Sequence, residues 1–221
     1  MPNVWDKYEF EHRCQERGCK VIAGVDEAGR GPLAGPVVVA AVILPPTDES
    51  FGLAVDDSKA LTDARRRKLY EQLTTDPRVR WCVAVKDAAT IDRLNILRAT
   101  HEGMRDAITG LGNDVDIALV DGLPVPDFPV PAEFIVKGDA RSASIGAASI
   151  IAKVTRDRMM EELDSVYPGY GFSKHKGYGT AAHLAALKRL GACPEHRRSF
   201  APVAQVLGLL PKPAEQLSLP L

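Results

Sequence analysis

Four acidic residues stand where apolar stretches of the sequence end, and they suggest metal chemistry. Asp26 and Glu27 follow KVIAGV, Asp121 follows IALV, and Asp139 follows FIVKG. If these stretches are strands of one open α/β sheet, their carboxyl ends form the edge at which ligands bind. Carboxylates gathered there repel one another unless cations share the site. Such oxygen ligands suit two Mg²⁺ or Mn²⁺ ions about 3.5–4 Å apart, which assist phosphoryl transfer.

Each acid also has a simpler interpretation. Asp121 or Asp139, taken alone, is equally typical of a turn or of a cap at the end of a strand. The adjacent pair Asp26–Glu27 is harder to explain in that way, because a buried strand seldom ends in two charges without a partner. Neighbouring strand side chains point to opposite faces, so both acids reach one site only where the strand ends and bends.

The segment Gly29-Arg30-Gly31 follows the acidic pair and supplies that bend. Glycine lets backbone groups approach a ligand closely, and the arginine adds a cation suited to phosphate. The alternative is an ordinary flexible turn, and the short pattern by itself does not decide between the two.

The elements that must position these residues indicate an α/β protein. Alternating or β-branched apolar patterns predict strands, and residues at three- to four-residue spacing predict helices. The predicted strands cover residues 20–27, 35–44, 79–86, 116–122 and 133–139. The predicted helices cover residues 5–17, a segment capped by Thr62, and residues 91–111, 142–167, 180–190 and 201–209. We expect one catalytic domain over residues 1–210 and a Pro-rich flexible tail over residues 211–221.

Composition excludes several classes of protein. With 45% hydrophobic and 26% charged residues, the chain is neither disordered nor membrane-embedded. Its longest apolar run, residues 37–44, is too short to cross a bilayer, so we expect no membrane partner. The four scattered cysteines predict reduced thiols and a cytoplasmic location, with a Cys14/Cys19 metal pair as the weaker alternative.

The net charge of −1 conceals an uneven distribution. Residues 137–198 hold 11 Lys and Arg against 6 Asp and Glu. A solvated surface explains such a bias equally well, so it gains meaning only if the segment also carries site residues.

At several places the sequence resembles the bacterial ribonuclease HII family. The most specific match is VDEAGRGPLAGPVVVAAV at residues 25–42, followed by VKGDARSASIGAASIIAKVTRDRMM at residues 136–160. Shorter matches occur in the family's order: DDSKALT, NILRAT, LVDG, YPGYGFSKHKGYGT and HRRSFAPV. The resemblance implies a ribonuclease H-like mixed sheet flanked by helices, with a small helical C-terminal subregion at about residues 165–210.

The resemblance also implies an activity and a set of site residues. The family's metal ligands match the four carboxylates, its Gly-Arg-Gly sensor of the ribose 2′-OH matches residues 29–31, and its junction-reading tyrosine matches Tyr178. The implied enzyme is a metal-dependent endonuclease that cleaves the RNA strand of RNA–DNA hybrids. It also cleaves 5′ of single ribonucleotides in duplex DNA, which leaves 5′-phosphate and 3′-OH ends and serves ribonucleotide excision and primer removal.

Several lysines in these motifs are candidates for phosphate contacts, although surface lysines are usually only solvated. They are Lys59, Lys137, Lys153, Lys174 and Lys176. His175 and His196 also lie in the motifs, where we expect phosphate contacts or structural hydrogen bonds ahead of a proton-shuttle role.

Three rival interpretations remain open at the level of sequence. The sister family ribonuclease HIII carries Lys at the position of Arg30 and an additional N-terminal domain, for which the predicted first strand at Lys20 leaves no room. A non-catalytic hybrid-binding module would gain nothing from four clustered negative charges that face phosphates. A carboxylate–metal protein that acts on small phosphate esters is the third.

The last six residues, QLSLPL, follow a Pro-rich spacer. They resemble the short peptide by which bacterial replication and repair proteins dock on the DNA sliding clamp, with Gln216, Leu217, Leu219 and Leu221 at the matching positions. The alternative is a frayed chain end.

Overall fold

The computed structural model describes residues 7–45 and 61–210. Its strands are β1 Ile22–Ala28, β2 Val37–Ile43, β3 Arg80–Lys86, β4 Ile117–Asp121 and β5 Ala132–Ile135. Its first five helices are α1 Glu9–Glu16, α2 Asp63–Thr75, α3 Ala88–Leu94, α4 Ile96–Gly110 and α5 Ala143–Val166. Three further helices follow, α6 Phe172–His175, α7 Ala181–Leu190 and α8 Ala201–Val206, and a 3₁₀ turn covers Gly138–Ala140.

The five strands form one mixed sheet in the order β3-β2-β1-β4-β5. The β1–β2 and β2–β3 pairs are antiparallel, whereas β4 runs parallel to both β1 and β5. The carboxyl ends of β1, β4 and β5 therefore meet at one edge, where the acidic residues were expected. The predicted α/β class with a mixed sheet and flanking helices is confirmed.

Helices cover both faces of the sheet. On one face, Val38, Ala40 and Val42 pack with the small residues of α5. On the other, Val25, Val39 and Ala41 pack against α4. The small residues of α5 permit unusually close contact with β1, since a Cβ added at Gly24 would lie 2.0 Å from the Ser144 carbonyl carbon. This packing fixes α5 directly beside the strand that carries Asp26.

Two of the differences between the predicted elements and the structure have a cause in the backbone dihedral angles. The helix expected over residues 91–111 is two helices, because Asn95 adopts a left-handed φ of 70° and caps α4 by accepting a hydrogen bond from Arg98 N. The strand expected to reach Asp139 stops at Ile135, since Lys137 at φ 56° turns the chain into the 3₁₀ segment. The predicted cap Thr62 is confirmed, since its hydroxyl accepts from Arg65 N, and Thr180 caps the helix predicted over residues 180–190 in the same way.

The small helices α6, α7 and α8 form the predicted helical C-terminal part. Helix α6 was not predicted separately, and α8 ends at Val206 and not at Leu209. Among the described residues, no helix combines the length and the apolar character that crossing a bilayer would require.

Candidate active site

Asp26 and Glu27 lie inside β1 and are followed by its last residue, Ala28. They pair in regular antiparallel register with Ala40 and Val39 of β2. The strand continues to Ala28, and the chain bends at Gly29, within the segment that was expected to supply the bend. Asp26 lies on the α5 face, buried and hydrogen-bonded with the Ser149 side chain. Its Oδ1 also accepts a hydrogen bond from the backbone N–H of Glu27, at 2.7 Å.

The electrostatics of this pair are unfavourable in the metal-free protein. Burial raises the pKa of Asp26 well above its usual value, and the charges of Glu27 and Asp121 raise it further. Burial also raises the pKa of Glu27, and Asp121 adds to that rise, although Arg30 opposes it. Arg30 Nη1 lies 3.3 Å from Glu27 Oε1. The three carboxyl groups are therefore close enough to influence one another.

Asp121 and Asp139 are linked by the turn between them. Asp121 ends β4, and its Oδ1 accepts a hydrogen bond from Gly138 N at 2.6 Å. Asp139, the next residue, is buried within the 3₁₀ turn. Asp139 is thus not at a strand end as predicted, but its turn is bound directly to the carboxylate that ends β4.

The donor set fits a divalent cation in its chemistry. Buried carboxyl groups with raised pKa values ionise more readily beside added positive charge. Within the two described ranges, however, no group of three or more His, Cys, Asp or Glu side chains is arranged so that it could hold a metal ion. Mg²⁺ seldom needs such a group, since it usually keeps several waters and is held by one or two carboxylates together with substrate phosphates.

The Gly29–Gly31 turn lines a cavity of about 470 Å³ beside the acids. Gly29 has φ 98°, and a Cβ there would lie 2.0 Å from Arg156 Nε, so only glycine fits. Tyr178 also lines the cavity with a half-exposed ring. The turn and the ring adjoin, because a Cβ added at Gly31 would lie 3.5 Å from Tyr178 Cε1.

The candidate lysines differ in their positions. Lys153 lines the cavity and bonds Asp157 Oδ1 at 2.6 Å. Lys176 is half-buried and bonds Glu161 at 2.8 Å. Lys137 and Lys174 are exposed and do not line the cavity. Lys59 and the tail residues Gln216, Leu217, Leu219 and Leu221 lie outside the described residues.

Ser149, Arg156 and Arg66 line the cavity but were not predicted as site residues. Ser149, Lys153 and Arg156 follow one another at spacings of four and three along α5, which places them on one helix face. That periodicity was a usable signal for Ser149 and Arg156. Arg66 also lines the cavity, but within the basic run of residues 65–68 on α2 nothing distinguished it from its neighbours.

The two motif histidines belong to a buried cluster and not to the cavity wall. His196 Nε2 lies 3.1 Å from His183 Nε2, and the His183 Nδ1 atom lies 2.9 Å from the Tyr178 carbonyl oxygen. His175 stacks on His183 with ring centroids 4.4 Å apart. Burial, with His183 nearby, lowers the pKa of His196 to about 4, so the imidazole is neutral at pH 7. This cluster underlies the segment that carries Tyr178.

Comparison with known proteins agrees with this architecture. Residues 23–203 match the family described as Ribonuclease HII. Over 209 residues the chain is 55% identical to Ribonuclease HII of Geobacter sulfurreducens, a match that covers 94% of this chain and 93% of that protein.

Two solved structures share the fold at lower sequence identity. Ribonuclease H2 from Pyrococcus horikoshii is 27% identical with a TM-score of 0.72, covering 86% of this chain and 98% of that one. RNase HII of Archaeoglobus fulgidus, solved in a complex with PCNA, is 29% identical with a TM-score of 0.70, covering 82% of this chain and 95% of that one. From the family match and the high identity to its bacterial relative, this chain belongs to the ribonuclease HII family.

Proposed function

We propose that this protein is a metal-dependent endonuclease that cleaves the RNA strand of RNA–DNA hybrids and cleaves 5′ of single ribonucleotides in duplex DNA. The products are 5′-phosphate and 3′-OH ends. The observation that carries the proposal is that Glu27, the Gly29–Gly31 turn and Tyr178 line one cavity, beside the electrostatically coupled Asp26 and Asp121. The roles that we propose for this endonuclease are ribonucleotide excision and primer removal.

We assign metal binding to Asp26, Glu27, Asp121 and Asp139, with two Mg²⁺ or Mn²⁺ ions during catalysis. When bound, these ions would stabilise negative charge on the scissile phosphate and supply an activated water. The protein's own contribution is to hold the carboxylates in place. Asp26 is held by the Glu27 amide and Ser149, and Asp121 is held by Gly138 N.

Selectivity for RNA rests on the ribose 2′-OH, which distinguishes RNA from DNA at a given position. We assign its recognition to backbone groups of Gly29, Arg30 and Gly31, because a side chain at Gly29 has no space. The Tyr178 ring beside this turn would stack on the sugar of the following nucleotide and favour deoxyribose there. We assign phosphate contacts to Lys153 and Arg66, which line the cavity, and Lys137, Lys174 and Lys176 remain weaker candidates.

The experiment that tests this function uses an end-labelled duplex with one embedded ribonucleotide. We expect one cut, on the 5′ side of the ribonucleotide, only when Mg²⁺ or Mn²⁺ is present, and with a 3′-OH that a DNA polymerase can extend. Matched all-DNA duplex is the control and should stay intact. Binding without cleavage would favour a hybrid-binding module, and hydrolysis of small phosphate esters alone would favour the third interpretation.

We further propose that residues 211–221 tether the enzyme to the DNA sliding clamp. The PCNA complex of the Archaeoglobus fulgidus relative supports a clamp partner for this fold. A flexible segment with apolar anchors can fill a groove at modest affinity. Tethering would raise the enzyme's local concentration on newly made DNA.

The clamp proposal is tested with a synthetic peptide of residues 211–221 and the clamp from the same organism. We expect a dissociation constant of about 1–100 µM, corresponding to roughly −5 to −8 kcal/mol. The double substitution Gln216→Ala with Leu219→Ala should abolish binding. A protein ending at Leu210 should cleave short free duplexes at the full rate, and failure of the intact protein to bind the clamp would contradict the proposal.

The cytoplasm is the location that we propose. Cys14, Cys19, Cys82 and Cys193 are all free thiols, as expected in a reducing compartment.

A further inference from the structure

Two arginines beside the cavity are buried in an unusual way. Arg156 and Arg197 are 1% and 0% exposed, respectively. Arginine is almost never fully buried unless it is paired. Over residues 7–45 and 61–210, neither guanidinium has a carboxylate partner within salt-bridge distance, and the hydrogen bonds of both go to backbone carbonyl oxygens.

The contacts of Arg197 fix the orientation of the Gly29–Gly31 turn. Its Nη2 donates to the Gly29 carbonyl at 2.6 Å and its Nη1 to the Arg30 carbonyl at 2.9 Å. In a trans peptide the C=O and N–H groups point in opposite directions. With both carbonyls turned towards Arg197, the N–H groups of Arg30 and Gly31 point to the opposite side of the turn.

The contacts of Arg156 join residues 34–36, which follow the Gly29–Gly31 turn, to the segment that carries Tyr178. Its Nε donates to the Pro36 carbonyl at 2.9 Å, its Nη2 to the Ala34 carbonyl at 3.2 Å and its Nη1 to the Lys176 carbonyl at 2.9 Å. Backbone bonds reinforce the connection, since Leu33 N donates to the Gly177 carbonyl at 2.8 Å.

The two segments are also in close steric contact. A Cβ added at Gly177 would lie 2.4 Å from the Ala34 carbonyl oxygen, so the Tyr178 segment lies directly on the chain that follows the glycine turn. The Arg197 backbone N–H bonds the Leu33 carbonyl at 2.8 Å, and its Nε bonds the Gly35 carbonyl at 3.0 Å. Neither segment can shift alone without breaking a charge-assisted hydrogen bond in a buried setting.

The cost of this arrangement argues that it serves more than stability. Burial lowers the pKa of Arg156 to about 10, and burial together with the nearby Arg156 charge lowers that of Arg197 to about 9. Two like charges buried together are unfavourable even with Asp157 near Arg156 and Asp92 near Arg197, and apolar residues of similar volume often stabilise a core at least as well. Apolar residues could not, however, hold carbonyl groups in a fixed direction.

We propose that Arg156 and Arg197 are positioning residues that join the Gly29–Gly31 turn and the Tyr178 segment into one rigid substrate-reading surface. Recognition of the ribose 2′-OH and recognition of the following deoxyribose are then coupled, and disturbing one disturbs the other. This inference rests on the proposed function. It adds that the two readings are a single unit, held by guanidinium–carbonyl contacts beneath the cavity.

A double-mutant cycle tests the coupling. The variants are Arg197→Lys, which keeps the charge but cannot reach both carbonyls, Tyr178→Ala, and the combination. The readouts are kcat and KM for a duplex with one ribonucleotide and for a continuous RNA–DNA hybrid. We expect each single change to lower kcat/KM at the single ribonucleotide by about tenfold, and the pair to lower it by about 10–20-fold instead of 100-fold.

Controls separate positioning from general destabilisation. Arg80→Lys, which alters a guanidinium–carbonyl contact at the far edge strand, should show no coupling with Tyr178→Ala. Thermal unfolding confirms that each variant is folded. If Arg197→Lys is unfolded, Arg156→Lys replaces it. That change leaves the carbonyls of the turn bonded to Arg197 but weakens the link to the Lys176 carbonyl, so we expect the same coupling with Tyr178→Ala.

The possible outcomes distinguish this inference from the proposed function. Failure of the wild-type protein to cleave at the ribonucleotide would overturn the function itself. The wild-type protein could cleave normally while the loss in the double variant equals the product of the two single losses to within about twofold. That result would leave the function standing and refute the coupling. If the arginine variant lowers kcat/KM equally on both substrates, the two arginines only stabilise the fold.

Discussion

At the scale of single residues, the site stores unfavourable electrostatic energy that a cation would relieve. Asp26 and Glu27 have raised pKa values because they are buried beside each other and beside Asp121. The folded metal-free protein therefore holds their protons more tightly than the unfolded chain does. Stability is lost as the pH rises above the unfolded values and through the raised folded values.

Asp26→Asn tests this cost. The amide keeps the Oδ1 acceptor for Glu27 N but removes the charge, so the metal-free variant should unfold at a higher temperature than wild type at pH 8. The gain should be about 2–4 °C for each kcal/mol relieved, and it should shrink towards pH 4. Mg²⁺ should raise the unfolding temperature of wild type more at pH 8 than at pH 5, because metal and protons compete. The assignment would be contradicted if Asp26→Asn melted at the wild-type temperature at pH 8 and if Mg²⁺ stabilised wild type as much at pH 5 as at pH 8.

Tyr178→Ala tests the junction-reading role. Because the ring is half-exposed on the cavity wall and packs little, its loss should affect substrate preference more than stability. We expect kcat/KM to fall more at a single ribonucleotide than on a continuous RNA strand, with Tyr178→Phe close to wild type. Equal losses on both substrates would show that Tyr178 is only a packing residue.

The sequence indicates the acids but not the burial of Arg156 and Arg197, because the first depends on local pattern and the second on distant parts of the chain. Carboxylates after a β-branched run are conspicuous, because charge is costly at the end of a buried strand. Arg156 and Arg197 look like ordinary surface cations in sequence, since their burial depends on carbonyl groups of segments far away in the chain. Long-range hydrogen bonding of this kind leaves no local pattern.

At the scale of elements, local patterns predicted most helices and strands, and backbone dihedral angles account for the exceptions. The apolar spacing continues through Asn95, so nothing in the periodicity indicates the break between α3 and α4. The early end of β5 likewise depends on the left-handed Lys137. The crowding of small residues in α5, by contrast, was visible in the sequence, and the structure explains it by close packing on β1.

The histidine cluster under α7 predicts a pH effect on stability. His196 has its pKa lowered to about 4 in the folded protein, compared with 6.5 in the unfolded chain. The unfolded chain therefore binds more protons between these values, and stability present above pH 6.5 is lost as the pH falls towards 4. The loss from this residue is on the order of 3 kcal/mol.

Urea unfolding of wild type and His196→Gln at several pH values measures this effect. The variant should be less stable at pH 7 but should lose less stability between pH 6.5 and 4. His12→Gln, on α1 and outside the cluster, is the matched control and should follow the wild-type profile. A His196→Gln profile parallel to that of wild type would show that His196 does not resist protonation.

At the scale of the whole molecule, opposite charges occupy different parts of the proposed active site. The acids come mainly from strand ends, whereas the cationic segment over residues 137–198 supplies Lys153, Arg156 and the Tyr178 loop around the cavity. Net charge conceals this division, so the near-neutral composition gave no indication of a nucleic-acid substrate. Binding and cleavage should accordingly be separable by mutation.

The most direct test of the account compares Asp121→Asn with wild type on a duplex that contains one ribonucleotide, in saturating Mg²⁺. The asparagine keeps the oxygen that accepts from Gly138 N, so the turn should remain in place. Asp114→Asn, at an exposed acid paired with Arg80, is the control and should cleave normally. We predict a loss of single-turnover cleavage of at least about a thousandfold, with a duplex dissociation constant close to that of wild type by fluorescence anisotropy. Cleavage by Asp121→Asn near the wild-type rate would contradict the central claim that these carboxylates carry out metal-dependent hydrolysis.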